Sequence, residues 1–197
     1  MSRTREPETR TSARWALLVV DMSVEQVEGL EPEAARRVIH SIKRIASLAC
    51  WAVKIDTRLW FESPNESNLA LTFPACGVEL GVQESPGAQL VPELESAGLQ
   101  FVAKKHFSSF VDSTLLDILI AAQVEKVVVV GINTEFCIFL TALDAFARGK
   151  FETVVVEEAT SSIHGENAHF DGLIRLRAHS PEGSVKSLLQ AIKLLKA

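Results

Sequence analysis

One cysteine in this sequence stands where proteins often place a reactive thiol. Cys137 follows an apolar, β-branched run, Val127 to Val130, and a short turn that begins at Gly131. Helical spacing resumes around the cysteine, so the pattern predicts a strand, a turn and a helix with Cys137 in the first helical turn. A helix N-terminus presents free N–H groups and a positive dipole end, which favour a thiolate and can hold a developing oxyanion. We therefore hypothesise that Cys137 is a nucleophile, with a buried, inert cysteine as the structural alternative.

Two further polar side chains follow predicted strands in the same way. Asp21 comes directly after the apolar run 16–20, and Lys104 comes directly after the run 99–103. In parallel α/β sheets the carboxyl ends of the strands meet at one edge, where ligands bind. We expect Asp21, Lys104 and Cys137 to converge there, although Asp21 alone could serve a turn and Lys104 alone could be a solvated surface charge.

The chemistry of these three groups is acyl transfer to water. Lys104 and the helix dipole would lower the pKa of Cys137, and Asp21 could accept the thiol proton and later donate it to a leaving amine. Attack on an amide carbonyl would give a tetrahedral oxyanion, which the N–H groups of residues 133–137 could hold. Release of the amine and hydrolysis of the thioester would complete the cycle.

The elements that must position these side chains alternate between strand and helix patterns. This alternation predicts a three-layer α/β/α fold with a mainly parallel, doubly wound sheet of about six strands. Residues 15–197 form one predicted domain, and residues 1–14 form a flexible tail, with a targeting segment as the alternative. The predicted strands lie at 16–20, 52–55, 99–103, 127–130 and 153–156, with one more near Arg177 to His179, and the predicted helices lie at 34–49, 113–122, 169–176 and 184–195.

Residues 62–92 are rich in proline, glycine, asparagine and serine and show no regular periodicity. A stretch of this length inside a compact domain is typical of a functional loop or lid. We expect substrate specificity to depend on it.

Composition limits the possible partners. The 197 residues carry a formal charge of −5 without a basic stripe, so we expect no nucleic acid as a partner. No apolar run approaches the roughly 18 to 20 residues of a membrane helix, so we expect no membrane partner. The three cysteines, Cys50 assigned to the C-terminal end of the predicted crossover helix, Cys76 in the loop and Cys137, form no pairing pattern, which favours a reducing, cytoplasmic setting.

Three sequence motifs together carry a resemblance to a known family. In order and spacing, the chain resembles the isochorismatase-like cysteine hydrolases, which include nicotinamidases, N-carbamoylsarcosine amidase and ureidoacrylate amidohydrolases. The likeness runs from about residue 16 to the C-terminal helix. The motifs are Leu17 to Met22, Lys104 with Phe107 to Phe110, and Gly131 to Cys137 leading into Thr141 to Ala145.

The resemblance implies catalytic roles for Asp21, Lys104 and Cys137, and a non-proline cis peptide bond between Ile132 and Asn133. The turn that would hold the oxyanion then comprises Ile132, Asn133, Thr134 and Phe136. Isochorismate-cleaving members lack the cysteine, so Cys137 indicates an amidase.

The chain departs from the family pattern where nicotinamidases bind a metal. Their Asp-x-His is here Asp56-Thr57-Arg58, and the following loop has no histidine in residues 73–77. Because one carboxylate does not hold zinc or iron, we predict no catalytic metal and no other cofactor. Arg58 could instead bind a substrate carboxylate, or it could pair with an acidic side chain. His164, His169 and His179 lack the spacing of a zinc site.

The loop that follows Asp21 also departs from the family pattern. The family has Asp-x-Gln-x-x-Phe at this place, whereas residues 21–26 here read Asp-Met-Ser-Val-Glu-Gln. Trp60, Phe107, Phe136 and Phe139 are candidates for an apolar pocket wall, with the hydrophobic core as the alternative.

The sequence thus predicts a cytoplasmic, metal-independent cysteine amidohydrolase for a small amide or carbamoyl compound. The alternative is a non-catalytic relative that binds a small molecule or a partner. The resemblance also implies a homo-oligomer.

Overall fold

The computed structural model describes residues 13–63, 65–67, 69–70, 80–149 and 151–197. Predictions that concern residues 1–12 and 71–79, Cys76 among them, lie outside the described residues. The strands are β1 (Trp15–Val20), β2 (Trp51–Leu59), β3 (Gln100–Lys104), β4 (Lys126–Ile132), β5 (Glu152–Ser161) and β6 (Val185–Lys186). The α-helices are α1 (Val24–Glu28), α2 (Pro32–Ala46), α3 (Leu115–Ala121), α4 (Phe139–Gly149), α5 (Glu166–His179) and α6 (Leu188–Leu195), with a 3₁₀ helix at Pro92–Ala97 and a π-helical turn at Thr134–Ile138.

The strands form a six-stranded sheet in the order β3-β2-β1-β4-β5-β6, and every pair in it is parallel. This confirms the predicted α/β class and the doubly wound, six-stranded sheet. Strand ends are aligned at the carboxyl edge, where Val20 lies opposite both Thr57 and Gly131, and Leu59 lies opposite Lys104.

Alternation along the strands divides the core between the two faces of the sheet. Leu17 and Val19 of β1 face α2 and α6, whereas Leu18 and Val20 face α3, α4 and α5. Because both faces are covered, the central strands are apolar throughout rather than alternating, which is why they were recognisable as short apolar runs.

Three element predictions were wrong. The stretch Arg177 to His179 is the last turn of α5, and the sixth strand is Val185–Lys186, inside the stretch predicted as the terminal helix. That helix begins only at Leu188, where Ser187 and Gln190 form a capping box. Cys50 lies between α2 and β2 rather than in the helix, which ends at Ala46.

β2 is also longer than predicted, since it continues through Leu59. Asp56 and Arg58 therefore belong to the strand and lie two residues apart on one face of it. No helix of the described residues is both long and apolar enough to cross a membrane.

Candidate active site

Asp21 occupies a constrained position just beyond β1. Its backbone has a φ of 52°, unusual for a residue other than glycine, and its N–H donates to the carbonyl of Thr57 at 2.8 Å. Its side chain is buried, and Oδ1 accepts a hydrogen bond of 3.0 Å from the N–H of Leu59. The second carboxylate oxygen remains available to the neighbouring site residues.

Lys104 is the last residue of β3, and its side chain is fully buried. Its Nζ lies 2.8 Å from Oδ2 of Asp21 and 3.5 Å from Sγ of Cys137. The same ammonium donates to the carbonyl of His106 at 3.1 Å. One cation therefore links the carboxylate to the thiol, and the structure brings together the three residues that the sequence placed at strand ends.

The neighbouring lysine has a different environment. Lys105 points to the surface and pairs with Glu66. The cation beside Asp21 and Cys137 is therefore Lys104 and not its neighbour.

Cys137 lies in the π-helical turn between β4 and α4 rather than in the first turn of a regular helix. The N–H of Ile138 donates to the carbonyl of Asn133 at 3.0 Å, five residues back, which defines the wide turn. The peptide bond between Ile132 and Asn133 is cis, at the position that the family resemblance implies. Cys137 is 3 % exposed, so its sulfur is enclosed beside Lys104.

Gly131 permits the close approach of β4 and β1 beneath this turn. Its φ is 121°, and a Cβ atom there would lie 2.0 Å from the carbonyl oxygen of Val20. A side chain at this position would push the end of β4, and with it the turn, away from Asp21.

The electrostatic environment differs from the one expected from the sequence. Burial and the nearby Asp21 charge raise the pKa of Cys137 to about 12, while Lys104 acts in the lowering direction that we expected. Burial lowers the pKa of Lys104, but Asp21 and Cys137 raise it by more, so that the net shift is upward. At rest the site therefore holds a protonated thiol beside a charged lysine.

Two of the candidate pocket residues, Arg58 and Trp60, lie against each other. Arg58 donates through Nε to both carboxylate oxygens of Asp56, at 3.1 and 2.9 Å, and through Nη1 to the carbonyl of Ala88. Its guanidinium carbon lies 4.7 Å from the ring centroid of Phe101 and 5.6 Å from that of Trp60. Arg58 is thus salt-bridged to Asp56 with Trp60 beside it, and its binding of a substrate carboxylate stays a prediction.

The other aromatic candidates divide between two places. Phe107 and Phe136 stack at 5.6 Å between ring centroids, and both are more than a third exposed. Because Phe107 follows Lys104 closely and Phe136 precedes Cys137, this pair borders the site. Phe139 instead packs edge-on against His179 at 6.2 Å and lies against the core on the face of the sheet that α3, α4 and α5 cover.

Side chains beyond the predicted set support the turn. Glu135 is buried and accepts hydrogen bonds at 2.7 Å from Ser162 and from Nδ1 of His164. Asn133 accepts a hydrogen bond of 2.9 Å from the N–H of Ile163. These bonds join the turn to the end of β5, and no periodicity or motif spacing could have revealed them.

The segment after Lys104 is fastened to α4. Ser108 donates to Asp144 at 2.6 Å, and the N–H of Ser109 donates to the hydroxyl of Thr141 at 3.1 Å. The motif residues 107–110 and 141–145 therefore contact each other, which explains physically why they occur together.

Comparison with known proteins identifies the family of this chain. A family model described as the isochorismatase domain matches residues 15–184. The chain belongs to the isochorismatase family.

Among relatives of this isochorismatase-family chain, a maleamate amidohydrolase from Pseudomonas putida is 26 % identical over 160 residues, covering 77 % of this chain and 74 % of the relative. An isochorismatase family protein from Desulfovibrio vulgaris superposes with a TM-score of 0.78 at 24 % identity, covering 94 % of this chain and 100 % of the other. A pyrazinamidase from Pyrococcus horikoshii, solved in complex with zinc, has a TM-score of 0.67 at 24 % identity and covers 88 % of this chain and 98 % of its own.

Asp56, the carboxylate at the position where the family resemblance would place a metal ligand, is paired with Arg58. Both oxygens of Asp56 accept hydrogen bonds from Arg58, whose positive charge would oppose a metal ion. Within the described parts of the chain, no group of three or more His, Cys, Asp or Glu side chains could hold a metal.

Proposed function

We propose that this isochorismatase-family protein hydrolyses the C–N bond of a small amide or carbamoyl compound, with Cys137 as the nucleophile. The observation that carries the proposal is the position of Lys104, whose ammonium contacts Asp21 at 2.8 Å and Cys137 at 3.5 Å. An apolar side chain would pack better than a fully buried lysine at this point, so packing does not explain the lysine. The relative named for maleamate hydrolysis supports an amide as the substrate.

The first half of the reaction forms a thioester. Asp21 accepts the proton of the Cys137 thiol as the sulfur attacks the carbonyl carbon, so that an S–C bond forms and an electron pair moves onto the carbonyl oxygen. Lys104 stabilises the sulfur while it carries negative charge. N–H groups of the turn at residues 133–137 stabilise the oxyanion.

Collapse of this intermediate expels the amine. The C–N bond breaks as Asp21 donates its proton to the leaving nitrogen, which departs as ammonia or an amine. A water molecule then attacks the thioester while Asp21 takes one of its protons. The S–C bond breaks, the proton returns to the sulfur, and the carboxylic or carbamic acid leaves.

The raised pKa of Cys137 makes Asp21 necessary in this scheme. An enclosed thiol with little tendency to ionise does not attack spontaneously, so proton transfer to the carboxylate must accompany attack. This arrangement also protects the thiol from solution oxidants between turnovers, because the thiolate is the oxidisable form.

We propose that the reaction proceeds without a metal, since Arg58 pairs with the carboxylate that a metal would need. A cytoplasmic location and assembly into a homo-oligomer remain predictions from the sequence and the family resemblance.

The test is a screen of small amides and carbamoyl compounds, including monoamides of dicarboxylic acids, with detection of released ammonia. Cys137→Ala, Asp21→Asn and Lys104→Met should each lower kcat by about three orders of magnitude or more, as expected for residues that act as one unit. Cys50→Ala is the matched control and should retain full activity, because Cys50 lies between α2 and β2, away from the site. Turnover by Cys137→Ala at the unaltered rate would overturn the nucleophile assignment, and loss of activity on metal chelation would overturn metal independence.

A further inference from the structure

Gly172, in the middle of α5, packs directly on the backbone of the turn that carries Cys137. A Cβ atom built at Gly172 would lie 2.7 Å from the backbone nitrogen of Glu135 and 2.7 Å from the carbonyl carbon of Thr134. Both contacts are with backbone atoms, which cannot move aside as the end of a flexible side chain could. Glycine in a helix interior is unfavourable by about 1 kcal/mol relative to alanine, so its presence here has a reason in packing.

His169 lies one helical turn before Gly172 and contacts the same segment. Its Nδ1 is 2.8 Å from the hydroxyl oxygen of Thr134, and that hydroxyl donates its single proton to the carbonyl of Ser161 at 3.1 Å. The hydroxyl oxygen can therefore only accept from the histidine, which makes His169 the donor through Nδ1–H. The chain of hydrogen bonds fixes Thr134 between α5 and the end of β5.

The surroundings of His169 favour its neutral ring, which suits a fixed hydrogen-bonding role. Burial and the positive charge of Arg37 lower its pKa, although nearby glutamates act in the opposite direction. The residue is 4 % exposed, so the ring is enclosed beside Thr134.

We propose that α5 sets the position of the nucleophile turn, with Gly172 and His169 as positioning residues for the reaction at Cys137. The inference rests on the proposed function for its catalytic readout, and on the contacts of α5 with Thr134 and Glu135 for its geometry. Neither residue touches the reacting groups. Gly172 determines how closely the helix approaches the turn, and His169 determines how Thr134, three residues before Cys137, is held.

The expected loss of kcat can be estimated from the dependence of catalytic rates on the position of the reacting groups. A displacement of about 1 Å can reduce a rate by about a hundredfold. The methyl group of an alanine at position 172 would lie 2.7 Å from the backbone of the turn, so the helix or the turn must move by several tenths of an ångström to reach an ordinary contact distance. We expect Gly172→Ala to lower kcat by about tenfold or more and to leave KM within about twofold of its original value.

The histidine allows a test by conservative rescue. The side-chain nitrogen of asparagine is separated from the main chain by the same number of bonds as Nδ1 of histidine, so His169→Asn keeps a donor near Thr134, whereas His169→Leu removes it. We expect His169→Leu to lose about tenfold or more in kcat and His169→Asn to recover most of that loss. Asp171→Ala, on the exposed side of the same helix, is the matched control and should change neither kcat nor KM.

A second readout does not require turnover. The alkylation rate of Cys137 by iodoacetamide, followed against pH, reports the surroundings of the thiol, and it should shift in Gly172→Ala and His169→Leu but not in Asp171→Ala. If the proposed hydrolysis itself fails, this profile still decides whether α5 positions the turn. The proposal is overturned if folded Gly172→Ala and His169→Leu both keep the original profile and kcat, or if His169→Asn is as impaired as His169→Leu. If Gly172→Ala does not fold, the His169 variants still decide the question, because they are made and measured independently.

Discussion

Replacing Asp21 by asparagine should make Cys137 more reactive towards an alkylating reagent while it abolishes hydrolysis. Asparagine keeps the shape of the side chain and an oxygen that can accept from the N–H of Leu59, a bond of 3.0 Å in the structure. It removes the negative charge, which is the second cause, after burial, of the raised pKa of Cys137. Alkylation rises because it depends on how easily the resting thiol ionises, whereas hydrolysis falls because it depends on proton transfer to the carboxylate during attack.

The size of the effect can be worked from the geometry. With its pKa raised to about 12, fewer than about one Cys137 thiol in a thousand is ionised at pH 7.5, compared with about one in ten for an ordinary cysteine. Asp21→Asn removes the repulsion between the carboxylate and the thiolate, whose charged atoms are at most about 6 Å apart because Nζ of Lys104 lies 2.8 Å from Oδ2 and 3.5 Å from Sγ. Two like unit charges at that distance repel each other by about 3 kcal/mol at an effective dielectric constant near 20. Since one pKa unit corresponds to about 1.4 kcal/mol, loss of half of this repulsion lowers the pKa by about one unit and raises the alkylation rate about tenfold.

The assay follows iodoacetamide labelling between pH 7 and pH 10.5 by peptide mass mapping, which reports each cysteine separately. Cys50 serves as an internal reference, and Asp117→Asn, an exposed carboxylate on α3, controls for the change in net charge. In the unaltered protein, labelling of Cys137 should rise about tenfold per pH unit across the whole range.

A plateau of Cys137 labelling near neutral pH in the unaltered protein would show that the thiol is already ionised at rest. Slower or equal labelling in Asp21→Asn would show that the carboxylate does not hold the proton on the sulfur. Either result would refute the reasoning.

Three further predictions concern stability. Lys104→Met should lower the free energy of unfolding by about 3–5 kcal/mol, measured by urea denaturation, because it leaves Asp21 buried without a partner, and adding Asp21→Asn should restore much of the loss. Gly131→Ala should destabilise the fold by at least about 1–3 kcal/mol, since alanine resists a φ of 121° and its Cβ would clash with the carbonyl oxygen of Val20, and equal urea midpoints would contradict this. Burial raises the pKa of Asp56 to about 6, so its contribution to stability is present at acid pH and is lost as the pH rises through 6. The unfolding free energy of the unaltered protein should therefore fall by about 2 kcal/mol relative to Asp56→Asn between pH 4 and pH 7, and a constant difference would contradict the shift.

The sequence predicted the convergence of Asp21, Lys104 and Cys137 because this convergence depends on topology. Apolar runs that end in a polar residue can be recognised one at a time, and parallel pairing then brings the ends together. The sheet, its direction and the alternation of strands and helices followed from the same patterns.

Other features could not be predicted from the sequence because they depend on which side chains contact each other in the fold. Asp56 and Arg58 interrupt an apolar run and so indicate the end of a strand, but each satisfies the charge of the other, and β2 continues through both. β6 has two residues, too few for any periodicity, so its place was assigned to the wrong segment.

The protonation state of the Cys137 thiol was the feature hardest to predict from the sequence. A lysine and a helix terminus both favour a thiolate, and the sequence contains both signals. Burial outweighs them, and burial of Cys137 is a property of the assembled fold rather than of any neighbouring residue.

The sheet order has a consequence for how the site can be lost. Among the strands that the structure describes, β3 lies at one end of the sheet and pairs with β2 alone, yet it supplies the lysine on which the site depends. Peripheral strands separate from a sheet at lower free energy than central ones, through partial opening that leaves the rest folded. Detachment of β3 would withdraw Lys104 from Asp21 and Cys137 while β1 and β4 stay paired in the centre. On warming or in mild urea, hydrolytic competence should therefore vanish before the bulk of the protein melts, and amide hydrogen exchange in residues 100–104 should set the threshold.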